Sequence, residues 1–319
     1  YVIGRGLDVI KFRAYAGRKG NMIQSTVRAA VGMLSTDLAA RIPTNYKEAM
    51  RSTDAKEWQK AIATELQGIT NKGVYTRVLR REIPRSVRIL STRWVFDIKR
   101  NELGVVIRYK ARATVRGFEA RAGIEYTDIY ASVLRLSSLR LVISLAAGLG
   151  LKLHLVDVVQ AFLCAKLKED VYVRPPEGSG EPTDTFWKLN KALYGLKQAP
   201  AAWEAELARV LVEKLKFRRL DAEHGIYIRG TGENIIILAV YVDDVVIAHG
   251  GTDEDLQTGF IKELSNEFEI KDCGSLKFCL GIKIDQDESG NIKLSQPAYI
   301  EEILERVKMV GVNEKPTPL

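Results

Sequence analysis

The 319-residue chain is 46% hydrophobic and 28% charged, which are ordinary values for a globular protein with a sizeable core. Its net charge of +8 favours a polyanionic partner. Three cysteines without a Cys-x-x-Cys pair argue against a disulfide framework, three scattered histidines argue against a zinc site, and no apolar run approaches the ~18 residues of a membrane span.

Residues 1–45 are predicted to form a basic N-terminal arm or linker. Residues 1–43 carry seven arginines and lysines against two aspartates, with four glycines among the first twenty positions. Such a segment is either a solvated, flexible arm or an arm that grips a nucleic-acid backbone, and the sequence leaves both interpretations open. Because the chain begins at Tyr1 rather than at methionine, we expect it to be part of a longer product.

Two helices are predicted in the first half of the chain. The first begins near Asp54 and ends near Gly73. Its apolar stripe consists of Trp58, Ile62, Leu66 and Ile69. The second helix is predicted to be capped by Ser137 and Ser138. Its apolar stripe is predicted to consist of Leu141, Val142, Leu145 and Leu149.

Two strands are predicted between these helices, over residues 88–99 and 105–115, joined by a turn at Asn101–Gly104. Arg108, Lys110 and Arg112 alternate along the second strand, so their side chains share one face. This face is either a solvated strand surface or a basic surface for a triphosphate or a template strand.

Two apolar, β-branched stretches contain carboxylates, namely Asp157 in one and the adjacent pair Asp243 and Asp244 in the other. A buried carboxylate is costly unless it is paired or bound to a metal, and two carboxylates side by side repel each other. The pair alone fits a plain hairpin turn as well as a metal site, although Val242 is a poor residue for the usual two-residue turns. Packed side by side, the two strands would place three hard oxygen ligands suited to Mg²⁺ at one sheet edge.

The segment between these strands, residues 191–203, predicts a tight turn at Gly195 followed by a helix with Pro200 in its first turn. The buried stripe of that helix is predicted to consist of Trp203, Leu207, Leu211 and Leu215. The start of the helix is either a contact point for phosphate or a base, or an ordinary glycine-containing helix start.

The C-terminal part is predicted to contain two more helices and a hairpin. Thr252 caps a helix with the stripe Leu256, Phe260, Leu264 and Phe268. Residues 275–285 and 291–294 are predicted to pair as a hairpin. Ser295 is predicted to cap a last helix with the stripe Ile300, Ile303, Leu304 and Val307.

Tyr241-Val-Asp-Asp244 resembles the Tyr-x-Asp-Asp box of reverse transcriptases, and its surroundings resemble the Copia-type branch of LTR retrotransposons. The resemblance covers residues 46–319, and its most specific part is Tyr194-Gly-Leu-Lys-Gln-Ala-Pro200 together with the box. The other matching stretches are Trp58 and its helix, Thr92–Lys99, Arg108–Arg112, Gly117–Phe118, Asp157–Leu163, Leu280–Ile282 and Leu294–Gln296.

The resemblance implies an α+β fold of the right-hand polymerase type, with fingers, a palm built on an antiparallel sheet, and a partial thumb. Fingers and palm would occupy residues 46–285 and the start of the thumb residues 286–319. The implied activity is that of an RNA-directed DNA polymerase, which adds dNTPs to a primer 3′-hydroxyl on an RNA or DNA template. We expect the 319 residues to lack the RNase H, protease and integrase domains, and the protein to act inside the cell, in the cytoplasm, in virus-like particles or in the nucleus.

The resemblance also assigns site residues. It implies that Asp157, Asp243 and Asp244, with Val158, bind two Mg²⁺ ions, for which Mn²⁺ could substitute. One ion would activate the primer 3′-hydroxyl and the other would bind the leaving pyrophosphate. The implied nucleotide-binding residues are Lys110, Arg112, Val158, Val159, Phe162, Lys197 and Gln198, of which Phe162 would exclude a 2′-hydroxyl. The residues Leu280 and Gly281 would hold the primer.

The sequence departs from the family pattern at Ala113–Val115 and at Val74-Tyr75, which suggests a diverged or decaying copy. A copy that binds nucleic acid without polymerising is therefore the second hypothesis. A two-metal nuclease or a nucleotide cyclase on a similar sheet is a third.

Overall fold

The computed structural model describes residues 41–100, 105–287 and 289–309. The predicted basic arm, apart from its last residues, and the predicted turn at Asn101–Gly104 lie outside the described residues. The chain divides into two compact units. The small unit contains the described residues up to Ile62 and those of Val95–Ala111, and the large unit contains Ala63–Trp94 and the described residues from Arg112 onward.

The described residues form a mixture of helices and strands, in agreement with the predicted α+β class. The helices are α1 (Tyr46–Arg51), α2 (Ala55–Asn71), α3 (Leu136–Leu149), α4 (Ala199–Arg209), α5 (Asp253–Leu256), α6 (Lys262–Glu267) and α7 (Pro297–Arg306). The strands are β1 (Tyr75–Leu79), β2 (Ile89–Leu90), β3 (Thr92–Arg100), β4 (Val106–Val115), β5 (Lys152–Val158), β6 (Lys166–Val173), β7 (Thr185–Lys191), β8 (Arg218–Arg219), β9 (Ile226–Arg229), β10 (Ile236–Tyr241), β11 (Asp244–His249), β12 (Ile270–Ser275), β13 (Phe278–Cys279), β14 (Ile282–Gln286) and β15 (Ile292–Ser295). No helix in the described segments has both the length and the apolar character needed to cross a bilayer.

The small unit is built around Trp58, which is fully buried. Its indole meets the rings of Phe96 and Tyr109 edge to face, with centroids 5.0 and 4.8 Å away. Such edge-to-face pairs stabilise a core beyond their buried area. The predicted stripe of α2 is confirmed for Trp58, Ile62 and Ile69, all of which are buried.

The large unit contains a six-stranded antiparallel sheet in the order β12-β5-β11-β10-β9-β8. Alternate residues of its central strands enter two different apolar clusters. On one face, Val156 and Ile247 pack with Trp203 of α4. On the other, Leu153 and Val246 pack with residues of α3. Burial on both faces explains why β10 and β11 are almost continuously apolar.

The predicted stripes of the two later helical segments are confirmed. A π-helical turn over Val210–Lys214 extends α4, and another over Gln257–Ile261 joins α5 to α6. The residues Trp203, Leu207, Leu211, Leu215, Leu256, Phe260, Leu264 and Phe268 are all buried.

The prediction for α3 is wrong in its cap and in most of its stripe. The helix begins at Leu136, and the Ser138 hydroxyl donates a hydrogen bond to Glu223 at 2.7 Å instead of capping it. The buried stripe is Leu139, Val142, Ile143 and Ala146, whereas Leu141, Leu145 and Leu149 are exposed. Because this helix is apolar on nearly every side, two stripes of helical spacing fit its sequence, and packing against the sheet selects the other one.

The C-terminal predictions need two corrections. The predicted strand 275–285 is interrupted at Leu280-Gly281, where β13 and β14 form a hairpin. Ser295 is not a helix cap, because it lies in β15 and α7 begins with Gln296 at its N-cap and Pro297 in its first turn. In the described part of the chain, the predicted α7 stripe leaves Ile300, Ile303 and Val307 exposed.

Candidate active site

The antiparallel register of β5 and β11 brings together the carboxylates predicted to share a site. Asp157 of β5 lies directly opposite Asp244 of β11. Opposed residues of antiparallel strands have Cα atoms about 4.5–5.5 Å apart. The backbone amide of Val158 donates a hydrogen bond to the carbonyl of Asp243 at 2.9 Å, so the third aspartate adjoins the other two.

The hairpin that carries Asp243 has a strained tip. Tyr241 pairs with Asp244 across β10 and β11, so Val242 and Asp243 form a two-residue loop. Val242 has φ +56°, a left-handed conformation that a β-branched residue adopts only at a cost of about 1–2 kcal/mol. The Trp203 indole Nε1 donates a hydrogen bond to the Val242 carbonyl at 2.6 Å, which helps to hold this loop in place.

Backbone strain is concentrated around these acids. Five non-glycine residues of the described segments have positive φ, and three of them are Gln160, Val242 and Leu280. Gln160 follows the strand of Asp157 after one intervening residue, and Leu280 lies in the β13–β14 turn. Such strain persists only where the surroundings enforce it, and it is typical of functional sites. The tip is therefore a candidate functional site.

The acids raise the free energy of one another's charged forms. Burial, followed by the charges of Asp243 and Asp157, raises the pKa of Asp244 to about 6. Hard carboxylate oxygens and a repulsion that a cation would relieve both fit a divalent metal ion. In the described segments, however, no three side chains of His, Cys, Asp or Glu already converge as metal ligands. The pairing of β5 with β11 thus brings the three aspartates together along the chain backbone, whereas their carboxylates do not yet surround a single metal position.

We expect Asp244→Asn to stabilise the metal-free protein at pH 8 by about 1 kcal/mol. A pKa of about 6 against 3.8 corresponds to at most about 3 kcal/mol, and partial contact with water reduces it. Because the folded-state pKa is raised, the wild-type protein loses stability as pH rises through about 6, and the difference from the variant should vanish near pH 4.

Urea denaturation of the metal-free wild type and variant at pH 8 and at pH 4 measures this effect. Asp221→Asn, which changes an exposed aspartate in another loop, is the matched control. An equal stability difference at both pH values would contradict the assignment of this effect to the ionised Asp244 carboxylate.

Phe162 is held beside the acids by a short 3₁₀ turn, Ala161–Cys164, that follows β5. Its ring is half-buried and meets the Tyr194 ring edge to face, with centroids 5.6 Å apart. The Arg112 guanidinium lies over the same Tyr194 ring, 5.6 Å from its centroid. The structure therefore brings together two residues of the predicted nucleotide site, since Phe162 and Arg112 share Tyr194 as a neighbour.

The amides of Val158 and Val159 are already used within the fold. The Val158 amide binds the carbonyl of Asp243, and the Val159 amide donates to the carbonyl of Glu269 at 2.9 Å. A contact from these two residues to a nucleotide would therefore have to involve other atoms. Lys110 lies in the small unit, and its predicted contact with the triphosphate stays a prediction.

At Gly195, where the sequence predicts a tight turn, the backbone lies in close contact with the backbone of Gly117. Gly195 has φ +87°, and a Cβ added to it would lie 2.1 Å from the carbonyl oxygen of Val115. A Cβ added to Gly117 would lie 2.1 Å from the carbonyl oxygen of Gly195. Neither position therefore has room for a side chain.

Lys197 and Gln198, just after this turn, are fixed by Glu125 and Tyr126. The buried Gln198 donates through Nε2 to the Glu125 carbonyl at 2.8 Å, while its Oε1 has no hydrogen-bond partner among the described residues. Lys197 Nζ donates to the Tyr126 hydroxyl at 3.1 Å and lies 4.6 Å from the centre of its ring. The two predicted nucleotide-binding residues thus depend on a loop that sequence patterns did not identify.

Glu125 anchors that loop as a fully buried carboxylate. It accepts hydrogen bonds from the backbone amides of Arg88 and Arg121, at 3.0 and 2.7 Å, and from the Arg121 guanidinium. The hydrogen bonds from Arg121 in particular lower its pKa to about 2. A glutamate in an irregular loop carries no periodic signal, and its partner at Arg88 is 37 residues away.

We expect Glu125→Gln to lower the free energy of unfolding at pH 7 by about 2–3 kcal/mol, because it removes the charge from a buried carboxylate that accepts hydrogen bonds from two backbone amides and from a partly exposed arginine. Since the folded-state pKa lies below the unfolded value of 4.5, this contribution is present above pH 4.5 and is lost as pH falls toward 2. Urea denaturation at pH 7 and pH 3 tests both statements. Glu213→Gln, at an exposed position, is the control, and a loss of similar size at both pH values would refute the electrostatic origin.

Strand β12, which the sequence analysis missed, adds a cation to the site. Lys271 lies opposite Asp157 in the β12–β5 pair, so Lys271, Asp157 and Asp244 form one row across three strands. Directly opposed residues project from the same face of a sheet. Lys271 is exposed, and it is the positive group that the sheet itself places beside these acids.

The predicted primer-holding turn packs against the apolar cluster that contains the buried residues of α3. Leu280 and Gly281 have φ +48° and +80°, and the flanking Cys279 and Ile282 are buried in the apolar cluster of α3. Burial, followed by the negative charge of Asp244, raises the pKa of the Cys279 thiol to about 11.

A sequence model of the family described as reverse transcriptase (RNA-dependent DNA polymerase) matches residues 73–319. The chain therefore belongs to the reverse transcriptase family, a family of RNA-directed DNA polymerases and hence of nucleotidyltransferases.

Within this family the chain is similar to the Pol polyproteins of transposons. It is 36% identical over 283 residues to the retrovirus-related Pol polyprotein from transposon TNT 1-94 of Nicotiana tabacum. The aligned region covers 88% of this chain and 21% of the relative. The chain is 33% identical over 288 residues to that from transposon RE1 of Arabidopsis thaliana, covering 90% and 19%. It is 25% identical over 240 residues to the transposon Ty1-NL2 Gag-Pol polyprotein of Saccharomyces cerevisiae, covering 72% and 13%.

These relatives confirm the predicted resemblance to retrotransposon reverse transcriptases of the Copia type. The chain spans about one fifth of the length of the two plant polyproteins.

Proposed function

We propose that this domain is an RNA-directed DNA polymerase that adds dNTPs to a primer 3′-hydroxyl on an RNA or DNA template. The observation that carries the proposal is the placement of Asp157 opposite Asp244, with Asp243 in the adjoining two-residue loop. Acids distant in sequence gain this proximity from strand pairing alone. The family to which the chain belongs supports the same reaction.

In this proposal the fold is a right hand. The six-stranded sheet is the palm, and residues 46–285 comprise fingers and palm. Residues 286–319 begin the thumb, and residues 1–45 are a basic arm ahead of the fingers. The strained tip at Val242 and the strand ends at Val158 would form the rim of the palm on which the primer terminus lies.

Asp157, Asp243 and Asp244, with Val158, would hold two Mg²⁺ ions, which Mn²⁺ could replace. Bound there, such ions would lower the pKa of the primer hydroxyl and neutralise the charge of the leaving pyrophosphate. The Asp244 carboxylate, whose pKa is raised without a cation, must be ionised to serve as a ligand.

The remaining residues would bind and orient the substrates. The Phe162 ring, fixed against Tyr194, would fill the space that a 2′-hydroxyl needs. Arg112 and Lys110 would contact the triphosphate, and Lys197 and Gln198 would lie beside the nucleotide and template. Leu280 and Gly281 would support the primer strand from the hairpin turn.

Primer extension tests this function. The purified domain should extend a labelled DNA primer on an RNA template with dNTPs and Mg²⁺, and excess EDTA should abolish the product. Binding of the primer–template without Mg²⁺-dependent extension would instead favour a decayed copy that only binds nucleic acid. Cleavage of the template, or cyclisation of free triphosphates, would reveal the nuclease or the cyclase.

A further inference from the structure

Glu65 is a buried carboxylate on α2, with 7% of its surface exposed. Burial of a carboxylate costs free energy unless hydrogen bonds compensate for the lost water. This carboxylate accepts hydrogen bonds from two segments that carry proposed nucleotide-binding residues, namely β4 and the residue that precedes the Ala161–Cys164 turn. Glu65 therefore connects two parts of the proposed nucleotide site that are far apart in the sequence.

One carboxylate oxygen of Glu65 holds β4. The backbone amide of Ala113 donates a hydrogen bond to Glu65 Oε1 at 3.3 Å. Ala113 directly follows Arg112, whose guanidinium lies over the Tyr194 ring. The carboxylate is therefore bound to the strand at the position next to a proposed triphosphate-binding side chain.

The other carboxylate oxygen holds the side chain of Gln160. Gln160 Nε2 donates a hydrogen bond to Glu65 Oε2 at 3.0 Å. The same amide group lies against Gly68, one turn further along α2, where an added Cβ would come within 2.5 Å of Gln160 Oε1. A glycine at position 68 thus leaves room for the Gln160 amide beside Glu65.

Gln160 begins the turn that carries Phe162. It is the N-cap of the Ala161–Cys164 turn and has φ +53° and ψ +49°, a left-handed conformation. A residue with a Cβ adopts this conformation only where its surroundings enforce it, and the hydrogen bond to Glu65 is one such contact. The Gln160 carbonyl accepts from the Leu163 amide at 2.9 Å, so the backbone orientation of Gln160 sets that of the turn.

The charge of Glu65 also acts on the ring that Phe162 packs against. Burial, followed by the negative charge of Glu65, raises the pKa of the Tyr194 hydroxyl. The rings of Tyr194 and Phe162 meet edge to face, with centroids 5.6 Å apart. The surroundings of Phe162 thus depend on Glu65 at Tyr194 as well as at Gln160.

We propose that Glu65 is a positioning residue for sugar selection, which holds Phe162 through Gln160 so that the ring excludes the 2′-hydroxyl of a ribonucleotide. The inference rests on the proposed polymerase function and adds to it a residue of α2 that acts through another side chain. In this arrangement Phe162 supplies the bulk, and Glu65 fixes the place that the bulk occupies.

Glu65→Ala should lower the preference for dNTPs over rNTPs about tenfold, because a site that loses a supporting contact loses geometric precision while its groups remain. The ratio of kcat/KM for dGTP and GTP, measured on the same primer–template, gives the preference. A change that only destabilised the fold would lower both values equally and leave their ratio unchanged. Glu65→Gln should retain most of the discrimination, since its side chain keeps hydrogen-bonding atoms for both Gln160 and Ala113.

Gln160→Asn tests the other end of the same contact. Asparagine tolerates a left-handed backbone, but its side chain is one methylene group too short to reach Glu65 in the same way. It should cause the same loss of preference, and the double variant Glu65→Ala/Gln160→Asn should lose no more than either single variant. Glu57→Ala, at an exposed position of the same helix, is the matched control and should keep the wild-type ratio.

Urea denaturation identifies the variants that fold. An unchanged ratio in folded Glu65→Ala and Gln160→Asn variants, or additive losses in the double variant, would overturn the inference and leave the polymerase function standing. If the wild type extends no primer, the proposed function fails and this inference fails with it.

Discussion

Asp243→Asn is expected to reduce primer extension by about three orders of magnitude or more. The change removes one negative charge and one hard oxygen donor from the loop that adjoins Asp157 and Asp244. Loss of a single well-placed electrostatic group in an active site costs about 10²–10³-fold, and loss of a direct ligand should reach or exceed that range. Single-turnover extension at saturating dNTP measures the chemical step.

This result has meaning only if the variant folds and binds. Asp243→Asn should unfold in urea no earlier than the wild type, since it relieves part of the repulsion that raises the pKa of Asp244. Its affinity for primer–template without metal should be unchanged. Asp221→Asn is the matched control and should extend normally. Wild-type extension by Asp243→Asn would remove Asp243 from the proposed metal site.

Phe162→Val is expected to lower the preference for dNTPs over rNTPs by about 100-fold. The Phe162 ring is held by Tyr194, so its loss opens a space at a fixed place beside the acids. Relief of a steric clash of about one hydroxyl group corresponds to roughly 1–3 kcal/mol, or 10–200-fold. The ratio of kcat/KM for dGTP and GTP, measured on the same primer–template, gives the preference.

Phe162→Tyr, which keeps the ring, is the control and should retain most of the discrimination. The truncation also removes part of a half-buried contact, so the urea midpoint of Phe162→Val should fall modestly while the protein remains folded at 25 °C. An unchanged preference in a folded Phe162→Val variant would show that sugar selection lies elsewhere.

Periodic patterns in the sequence predicted the elements that hold the acids. Alternation and β-branched content identified β5, β10 and β11, and helical spacing identified α2, α4 and the α5–α6 segment. The same approach failed for α3, because a helix that is apolar on most sides has more than one possible stripe. It also missed β12, an edge strand whose exposed Lys271 and Asp272 carry no apolar signal.

The residues that support the site were harder to predict than the acids themselves. Asp157 and the Asp243–Asp244 pair stand out because a charge interrupts an apolar run. Glu125 has no such contrast, since it lies in an irregular loop of mixed polar and apolar residues and one of its partners, Arg88, comes from another segment. Lys271 becomes informative only once its register opposite Asp157 is known. Local composition therefore located the carboxylates, while pairing between distant segments defined their surroundings.

The contact between Gly117 and Gly195 has a consequence for how copies of such an element accumulate substitutions in a genome. Every single-base change that replaces either glycine adds at least a Cβ where a carbonyl oxygen is 2.1 Å away. Substitutions that most surface positions would tolerate are thus damaging at these two glycines. Because both glycines remain in this copy, they provide a simple criterion for sorting intact copies from eroded ones before any protein is made.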